Sequence, residues 1–138
     1  MDTFSKEKRS EIMRAVKSED SQAELIVRRM LHRAGFRYRL HVAALPGKPD
    51  VVFPSRRKVI FIHGCFWHLH KNCPAARHPS SNVEYWEAKL KRNVERDRKN
   101  RKKLKALGWT TLVVWECKLK NPDAVFSALI RFLSDSAL

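Results

Sequence analysis

Histidines and cysteines are concentrated in one short stretch of the sequence, between positions 63 and 73. Five residues of these two types occur there, and they are His63, Cys65, His68, His70 and Cys73. Thiolate and imidazole groups are the usual ligands of structural Zn²⁺, and short spacings let one loop supply several of them. Imidazoles also transfer protons near neutral pH. The stretch therefore predicts a metal site together with histidines that could do acid–base chemistry.

The zinc prediction uses only part of this stretch. Cys65, His70 and Cys73 could surround one ion, and Cys117, which follows a buried-strand pattern, is the candidate for the fourth ligand. Zinc held by these four residues would tie the loop to the sheet and stabilise a segment that cannot bury much apolar surface. The alternative is that the thiols pack as small hydrophobic groups.

An aspartate stands at the beginning of a predicted strand. Asp50 follows Pro49, and its carboxylate could hold a hard cation such as Mg²⁺ beside a phosphate. The alternative is an ordinary turn, in which Pro-Asp pairs are common. Beside a cation at Asp50, His63 and His68 could deprotonate a water molecule or protonate a leaving oxygen. Otherwise they are hydrogen-bonding side chains.

Two further acids could support this chemistry. Asp97 lies among arginines and could orient an imidazole from behind, or it could pair with Arg101 one helical turn further on. Glu24 completes a capping box that begins at Ser21, but an acid in this helix could also lie near a bound cation. The sequence leaves both alternatives open.

Large aromatic side chains flank the proposed chemistry. Phe66 and Trp67 interrupt the polar loop, and Trp86 lies near the start of a basic segment. Exposed rings there could wedge between base pairs, where unstacking costs on the order of a few kcal/mol per step and new contacts must offset it. Packing in the core is the alternative for each ring.

Eight elements are predicted to position these residues. Apolar periodicity and capping signals predict helices at 5–17, 23–34, 82–107 and 122–132. Alternating or continuous apolar runs predict strands at 36–40, 50–53, 58–63 and 109–115. The order α, α, β, β, β, α, β, α predicts an α/β fold.

Composition favours a nucleic-acid partner. The 138 residues suit a single domain over 1–138, and 29 Lys and Arg against 14 acids give a net charge of +15. Positions 89–105 alone carry ten basic residues and two acids, which suits a phosphate backbone. No apolar run is long enough to span a membrane, and the first residues contain no apolar stretch, so no secretory signal is expected. With three cysteines, this predicts a protein of a reducing compartment, the cytoplasm.

The motifs together resemble the very-short-patch mismatch repair endonucleases. The resemblance covers nearly the whole chain and is carried by the segments at 13–16, 45–50, 59–68, 93–98, 108–109 and 114–117. It implies a restriction-endonuclease-like fold, with a central mixed β-sheet flanked by helices and a structural zinc site. It also implies a Mg²⁺-dependent nick in one strand of duplex DNA, 5′ to the thymine of a T:G mismatch left by deamination of 5-methylcytosine.

The resemblance also implies roles for individual residues at the metals. Asp50 would bind Mg²⁺ together with the main-chain carbonyl of Ile62. His68 would be the base, His63 would assist at the phosphate, and Asp97 would support an imidazole. The four zinc ligands would be Cys65, His70, Cys73 and Cys117.

Further residues would contact DNA in both grooves. Phe66, Trp67 and Trp86 would insert from the major groove, while Met13 and Val16, in an N-terminal helix within 1–18, would press from the opposite groove. A monomer bound to bacterial DNA is expected, because an attack on one strand needs one active site.

Two rival functions remain at this stage. A non-catalytic, zinc-stabilised DNA-binding module would explain the charge and the aromatic residues. A nuclease or binder of structured RNA is the other, because backbone charge does not distinguish one duplex from another. Asp50 with two histidines outside the zinc set favours catalysis.

Relatives of the fold commonly carry an acid, a spacer and a lysine on the third strand, where this chain has Phe61, Ile62 and His63.

Overall fold

The structure, a computed structural model, describes residues 21–65, 68, 73 and 83–134. Its helices and strands, in chain order, are α1 Gln22–Arg33, β1 Arg39–Leu40, β2 Val51–Phe53, β3 Lys58–His63, α2 Val83–Ala106, β4 Thr110–Trp115 and α3 Pro122–Ser134. Two 3₁₀ helices follow strands, at Pro54–Arg56 and Glu116–Lys120. The helix predicted at 5–17 lies outside the described residues. No helix in the described part of the chain is long and apolar enough to cross a bilayer.

The four strands form one mixed sheet in the order β1-β2-β3-β4. The first two pairings are antiparallel, and β3 pairs with β4 in parallel. The prediction of an α/β fold with a mixed sheet is therefore confirmed, and it is consistent with a restriction-endonuclease-like fold. Because β3 and β4 run in parallel, with His63 opposite Trp115, the residues that follow both strands meet at one edge of the sheet.

Apolar side chains cover both faces of this sheet. Val51, Phe53 and Ile60 pack on one face with buried residues of α1 and α3, and Val52, Val59 and Phe61 pack on the other with Leu104 of α2. This alternation follows the two-residue period of a strand. The sheet is thus enclosed between α1 and α3 on one side and α2 on the other, which explains why β2 and nearly all of β3 are buried.

A basic turn between β2 and β3 fastens the helix ends to the sheet. Arg56 and Arg57 donate hydrogen bonds to the carbonyls of Leu133 and Leu107, at 2.8 and 2.6 Å. Lys58, which is 3% exposed, donates to the carbonyl of Phe132. Cations are favourable beside the carboxyl ends of helices. Three of the positive charges of the chain therefore stabilise the fold instead of facing solvent alone.

Candidate active site

Asp50 is held at the start of β2 by a tight loop and by β3. Gly47 in this loop has a φ of +79°, and a Cβ atom there would lie 3.0 Å from the Cβ of Asn100 on α2, so both the backbone and the space require glycine. After the buried Pro49, the Asp50 Oδ2 accepts a hydrogen bond from the main-chain N–H of Ile62 at 2.8 Å. The carboxylate is therefore fixed near the end of β3.

Two more titratable groups join Asp50. Glu24 of α1 and His41, which follows β1, lie so that one ligand atom of each residue is within 4.8 Å of the others. The His41 Nε2 contacts both carboxylate oxygens of Glu24, at 2.8 and 3.0 Å, and Arg28 donates to Oε2 at 3.2 Å. We call Glu24, His41 and Asp50 the acid cluster. Glu24 was a candidate from the sequence, whereas His41 was not.

The capping-box alternative for Glu24 accounts for its main chain only. Its N–H donates to the Ser21 hydroxyl at 3.1 Å, as the N-terminal cap of α1 requires. Its carboxylate, which is 2% exposed at the residue level, contacts His41 and Arg28. The same residue therefore begins the helix and contributes a buried acid to the cluster.

Burial makes Asp50 costly to charge. It raises the pKa of Asp50 to about 7, the nearby charge of Glu24 raises it further, and the Ile62 N–H and His41 oppose the rise. Two adjacent carboxylates suit a divalent cation, which would offset the repulsion between the two acids. The donor set therefore fits a cation such as Mg²⁺, whose presence stays a prediction.

Stability without added divalent cations should depend on pH through Asp50. Its pKa is about 7 in the folded chain against an ordinary value of 3.8, so folding takes up a proton between these values and stability falls as the pH rises through this range. Asp50→Asn removes the free-energy cost of ionising this carboxyl group in the folded chain. We expect its melting temperature to exceed that of the wild type by about 5 °C at pH 8 and by less at pH 5. Equal values at pH 8 would contradict a buried charge.

A second cluster is built around His63, which follows Ile62 at the end of β3. The rings of His63 and His68 are stacked, with centroids 3.8 Å apart and planes 3° apart. Asp97 of α2 bonds through Oδ2 to the Nδ1 of His68. Of the two alternatives for Asp97, the structure therefore shows the contact with an imidazole. We call His63, His68 and Asp97 the histidine cluster.

The two histidines have different surroundings. His63 is 4% exposed, and burial lowers its pKa to about 3, with the charges of His68 and Arg101 adding to the effect. Its ring is therefore neutral at pH 7, and its Nδ1 has no hydrogen-bond partner among the described residues. His68 has a carboxylate behind its ring, an arrangement that fixes the tautomer and stabilises the imidazolium form. His68 is thus the better equipped of the two to accept a proton.

Three of the four predicted zinc ligands come together beyond the ends of β3 and β4. The Sγ atoms of Cys65, Cys73 and Cys117 lie within 4.8 Å of one another. Burial raises the pKa of the Cys65 thiol to about 12; a hydrogen bond with the Cys117 main chain opposes the rise, and side-chain hydrogen bonds with Cys117 and Cys73 add to it. Sulfur ligands of tetrahedral zinc are ~3.7 Å apart, so small movements would suffice. The donor set fits zinc, but the ion stays a prediction, and His70 lies outside the described residues.

The predicted DNA-inserting residues are only partly described. Trp86, in the first turn of α2, is 9% exposed and packs edge to face against Tyr85, with ring centroids 5.1 Å apart. Its ring is covered in the DNA-free chain, so insertion into DNA would need that ring to turn outwards, and the role stays a prediction. The other members of the predicted set lie outside the described residues, and they are Phe66, Trp67, Met13 and Val16.

The basic segment forms much of α2. Its exposed cations are Lys91, Arg92, Arg96, Arg98, Lys99, Lys102, Lys103 and Lys105. Leu90 and Leu104 are fully buried, so the helix packs by a narrow apolar stripe. The charged surface therefore extends along the same helix that supplies Asp97, which brings phosphate-binding charge next to the histidine cluster.

An acid cluster and an acid-supported histidine pair at one edge of an α/β sheet are typical of phosphodiester hydrolases. The comparisons identify the family. Residues 1–74 match the family model of the DNA mismatch endonuclease Vsr. The chain belongs to this family and is an endonuclease, which confirms the resemblance and excludes a purely non-catalytic module.

Individual relatives agree over most of their length. The chain is 44% identical to the type II nicking enzyme V.XorIIP of Xanthomonas oryzae, over 98% of each chain. It is 43% identical to the type II nicking enzyme V.NmeAIP of Neisseria meningitidis, over 97% of this chain and 95% of the relative. It is also 43% identical to the DNA mismatch endonuclease Vsr of Escherichia coli, over 88% of this chain and 78% of the relative.

Proposed function

We propose that the protein nicks one strand of duplex DNA 5′ to the thymine of a T:G mismatch, in a reaction that requires Mg²⁺. The observation that carries the proposal is the position of the two clusters: Asp50 is bonded to the Ile62 N–H, and His63 is the next residue. Asp50, an acid for the cation, and His63, a histidine of the proposed acid–base pair, are thus associated with consecutive residues of β3. The name of the E. coli relative supports the mismatch as substrate.

The acid cluster would hold the cation. Asp50 and Glu24 supply carboxylate oxygens, and the main-chain carbonyl of Ile62 is a further ligand in this proposal. When bound there, Mg²⁺ would neutralise charge on the phosphate and its leaving oxygen. Glu24 lies close to Asp50 in the folded chain, and its carboxylate is also bonded to His41 and Arg28.

The histidine cluster would move the proton. His68, with Asp97 behind its Nδ1, takes a proton from the attacking water through its other nitrogen, and Asp97 stabilises the imidazolium that results. His63 is neutral at pH 7 and packs flat against the His68 ring. It therefore adds no positive charge that would oppose protonation of His68, and it can hydrogen-bond to the phosphate.

The DNA would be held by charge and opened by aromatic rings. The exposed cations of α2 would line the phosphate backbone and make binding strongly dependent on salt. Phe66, Trp67 and Trp86 would enter from the major groove and Met13 and Val16 from the minor groove, so that the mismatch is recognised by the ease with which it unstacks. We further propose that zinc on Cys65, His70, Cys73 and Cys117 fixes the loop that carries these rings.

A cleavage screen tests this proposal. The substrates are otherwise identical duplexes with T:G, T:A or C:G at one position, each strand labelled separately, and a duplex RNA of the same sequence. We expect one nick, in the thymine strand of the T:G duplex, only when Mg²⁺ is present. Equal nicking of T:A or C:G would contradict mismatch specificity, while cleavage of the RNA would favour the structured-RNA alternative.

Asp97→Asn should slow the nick without weakening DNA binding. Asparagine can still bond to His68, but it neither stabilises the imidazolium nor enforces the tautomer. We expect the rate constant for nicking, measured in single-turnover assays, to fall about 10²-fold. Asp123→Asn, which removes an exposed acid from the first turn of α3, is the matched control and should leave the rate unchanged. A normal rate in Asp97→Asn would mean that the contact with His68 is only structural.

A further inference from the structure

His41 bonds to the chain segments of both other members of the acid cluster. Its imidazole Nε2 lies 2.8 and 3.0 Å from the two oxygens of Glu24 on α1. Its main-chain N–H donates to the carbonyl oxygen of Asp50 at 3.2 Å. A single residue therefore connects the helix that carries one acid to the strand start that carries the other.

The backbone of His41 has a conformation that few residues adopt. Its φ is +49°, in the left-handed region, at the point where the chain leaves β1. Histidine is one of the few residue types other than glycine enriched there, and such outliers persist where surrounding structure holds them. The side chain is only 13% exposed. The ring is thus held in place by packing as well as by its hydrogen bonds.

We propose that His41 is a positioning residue of the cation site, whose imidazole N–H holds both oxygens of Glu24 beside Asp50. This inference rests on the proposed function, because it assumes that the acid cluster binds a divalent cation. Arg28 is a second partner of Glu24; it lies on the same helix and bonds to Oε2 at 3.2 Å. Without His41, the Glu24 carboxylate would keep Arg28 and lose its contact with the residue that follows β1.

The need for such a residue follows from the charges. Glu24 is 2% exposed and lies next to a second carboxyl group, with which it also hydrogen-bonds. Once both acids are ionised, repulsion favours a Glu24 side chain that turns away from Asp50. The His41 N–H, shared between the two oxygens of Glu24, opposes that rotation. Groups that orient metal ligands typically change metal affinity about 10- to 100-fold when they are removed.

Two substitutions separate positioning from other roles of His41. His41→Gln keeps an N–H donor at similar reach and should still hold Glu24. His41→Asn tolerates a positive φ but is too short to reach the Glu24 carboxylate. Asp50→Asn is included as the variant that removes a predicted cation ligand. Melting curves of all variants show whether each chain is folded before binding is measured.

The measurement is Mn²⁺ binding to the full-length protein without DNA, followed by electron paramagnetic resonance. We expect His41→Asn to raise the Kd for Mn²⁺ about 10-fold or more, and His41→Gln to stay within about 3-fold of the wild type. In nicking assays, His41→Asn should raise the Mg²⁺ concentration needed for half-maximal rate and leave the Kd for DNA unchanged. His41→Gln should restore that Mg²⁺ requirement.

Three results would overturn the inference, and they differ in what else they overturn. Wild-type Mn²⁺ affinity in His41→Asn, with affinity lost in Asp50→Asn, would refute the role of His41 and leave the cation site intact. Equal loss in both His41 variants, or a changed preference between Mn²⁺ and Mg²⁺ in His41→Gln, would make His41 a direct ligand. Unchanged affinity in Asp50→Asn would remove the cation site itself, and the role of His41 with it.

Discussion

Asp50→Asn is expected to reduce nicking of a T:G duplex by at least about 10³-fold. The substitution keeps the size of the side chain. It also keeps an oxygen that can accept the hydrogen bond from the Ile62 N–H, whose nitrogen lies 2.8 Å from Oδ2 of Asp50 in the wild type. It removes the negative charge that the proposed cation needs. Charge stabilisation by a bound metal contributes several kcal/mol in the transition state, and about 4 kcal/mol corresponds to this factor. Single-turnover assays with excess enzyme measure the chemical step directly.

The same variant should bind DNA as well as the wild type and be more stable without added cation at pH 8. Because the exposed cations of α2 are untouched, the Kd for duplex DNA should stay within about 3-fold of the wild type. Asp123→Asn again serves as the control for loss of one acid at the surface. If Asp50→Asn nicks at the wild-type rate, the acid cluster is not the cation site. If it loses DNA binding instead, Asp50 acts in substrate binding.

The sequence was sufficient for the elements that have strong local signals. β3 was predicted with its observed bounds, because a continuous apolar run from Val59 leaves little choice in a sheet covered on both faces. The capping residue Ser21 and the positive φ of Gly35 explain why α1 was also predicted to within a residue or two. These features depend on a few neighbouring residues only.

The strand predicted at 36–40 is shorter, and the reason is tertiary. Only Arg39 and Leu40 pair with β2. Phe36 and Tyr38 contact the ring of Phe53 edge to face, at 6.3 and 6.2 Å between centroids, instead of extending the ladder. Alternating apolar residues therefore predicted burial correctly and strand length wrongly, since packing on an aromatic ring can satisfy the same pattern.

The candidate site shows the same division between local and distant information. The Asp50 and His63–His68 motifs stand out in the sequence because their residue types are rare together. His41 does not, because its part in the site depends on a left-handed backbone and on a helix distant in the chain. The contact of Asp97 with His68 is likewise set by how α2 crosses the sheet. The sequence predicted this contact and an ion pair between Asp97 and Arg101 equally well.

Removal of zinc is expected to have the largest effect on stability. Cys65 and Cys117 follow the paired ends of β3 and β4, where His63 lies opposite Trp115, and Cys73 joins them from the loop. Zinc there would close the loop that carries His68, so its loss should disturb both stability and catalysis. We expect one zinc per chain by elemental analysis, and a melting temperature at least about 10 °C lower after chelation. Adding zinc back should restore both the melting temperature and the nicking activity.

Two substitutions at Cys65 distinguish zinc binding from simple packing of thiols. Cys65 is 3% exposed, so if it acts as a small hydrophobic group, alanine should be tolerated better than the polar serine. If it is a zinc ligand, both substitutions remove a thiolate, and both should lose zinc and melt at similarly reduced temperatures. A stable, zinc-free alanine variant with normal nicking would reject the structural zinc site. Equal losses of zinc and of melting temperature in the two variants would reject packing alone. The loss of a zinc ligand does not depend on which residue replaces cysteine, whereas the loss of apolar contact does.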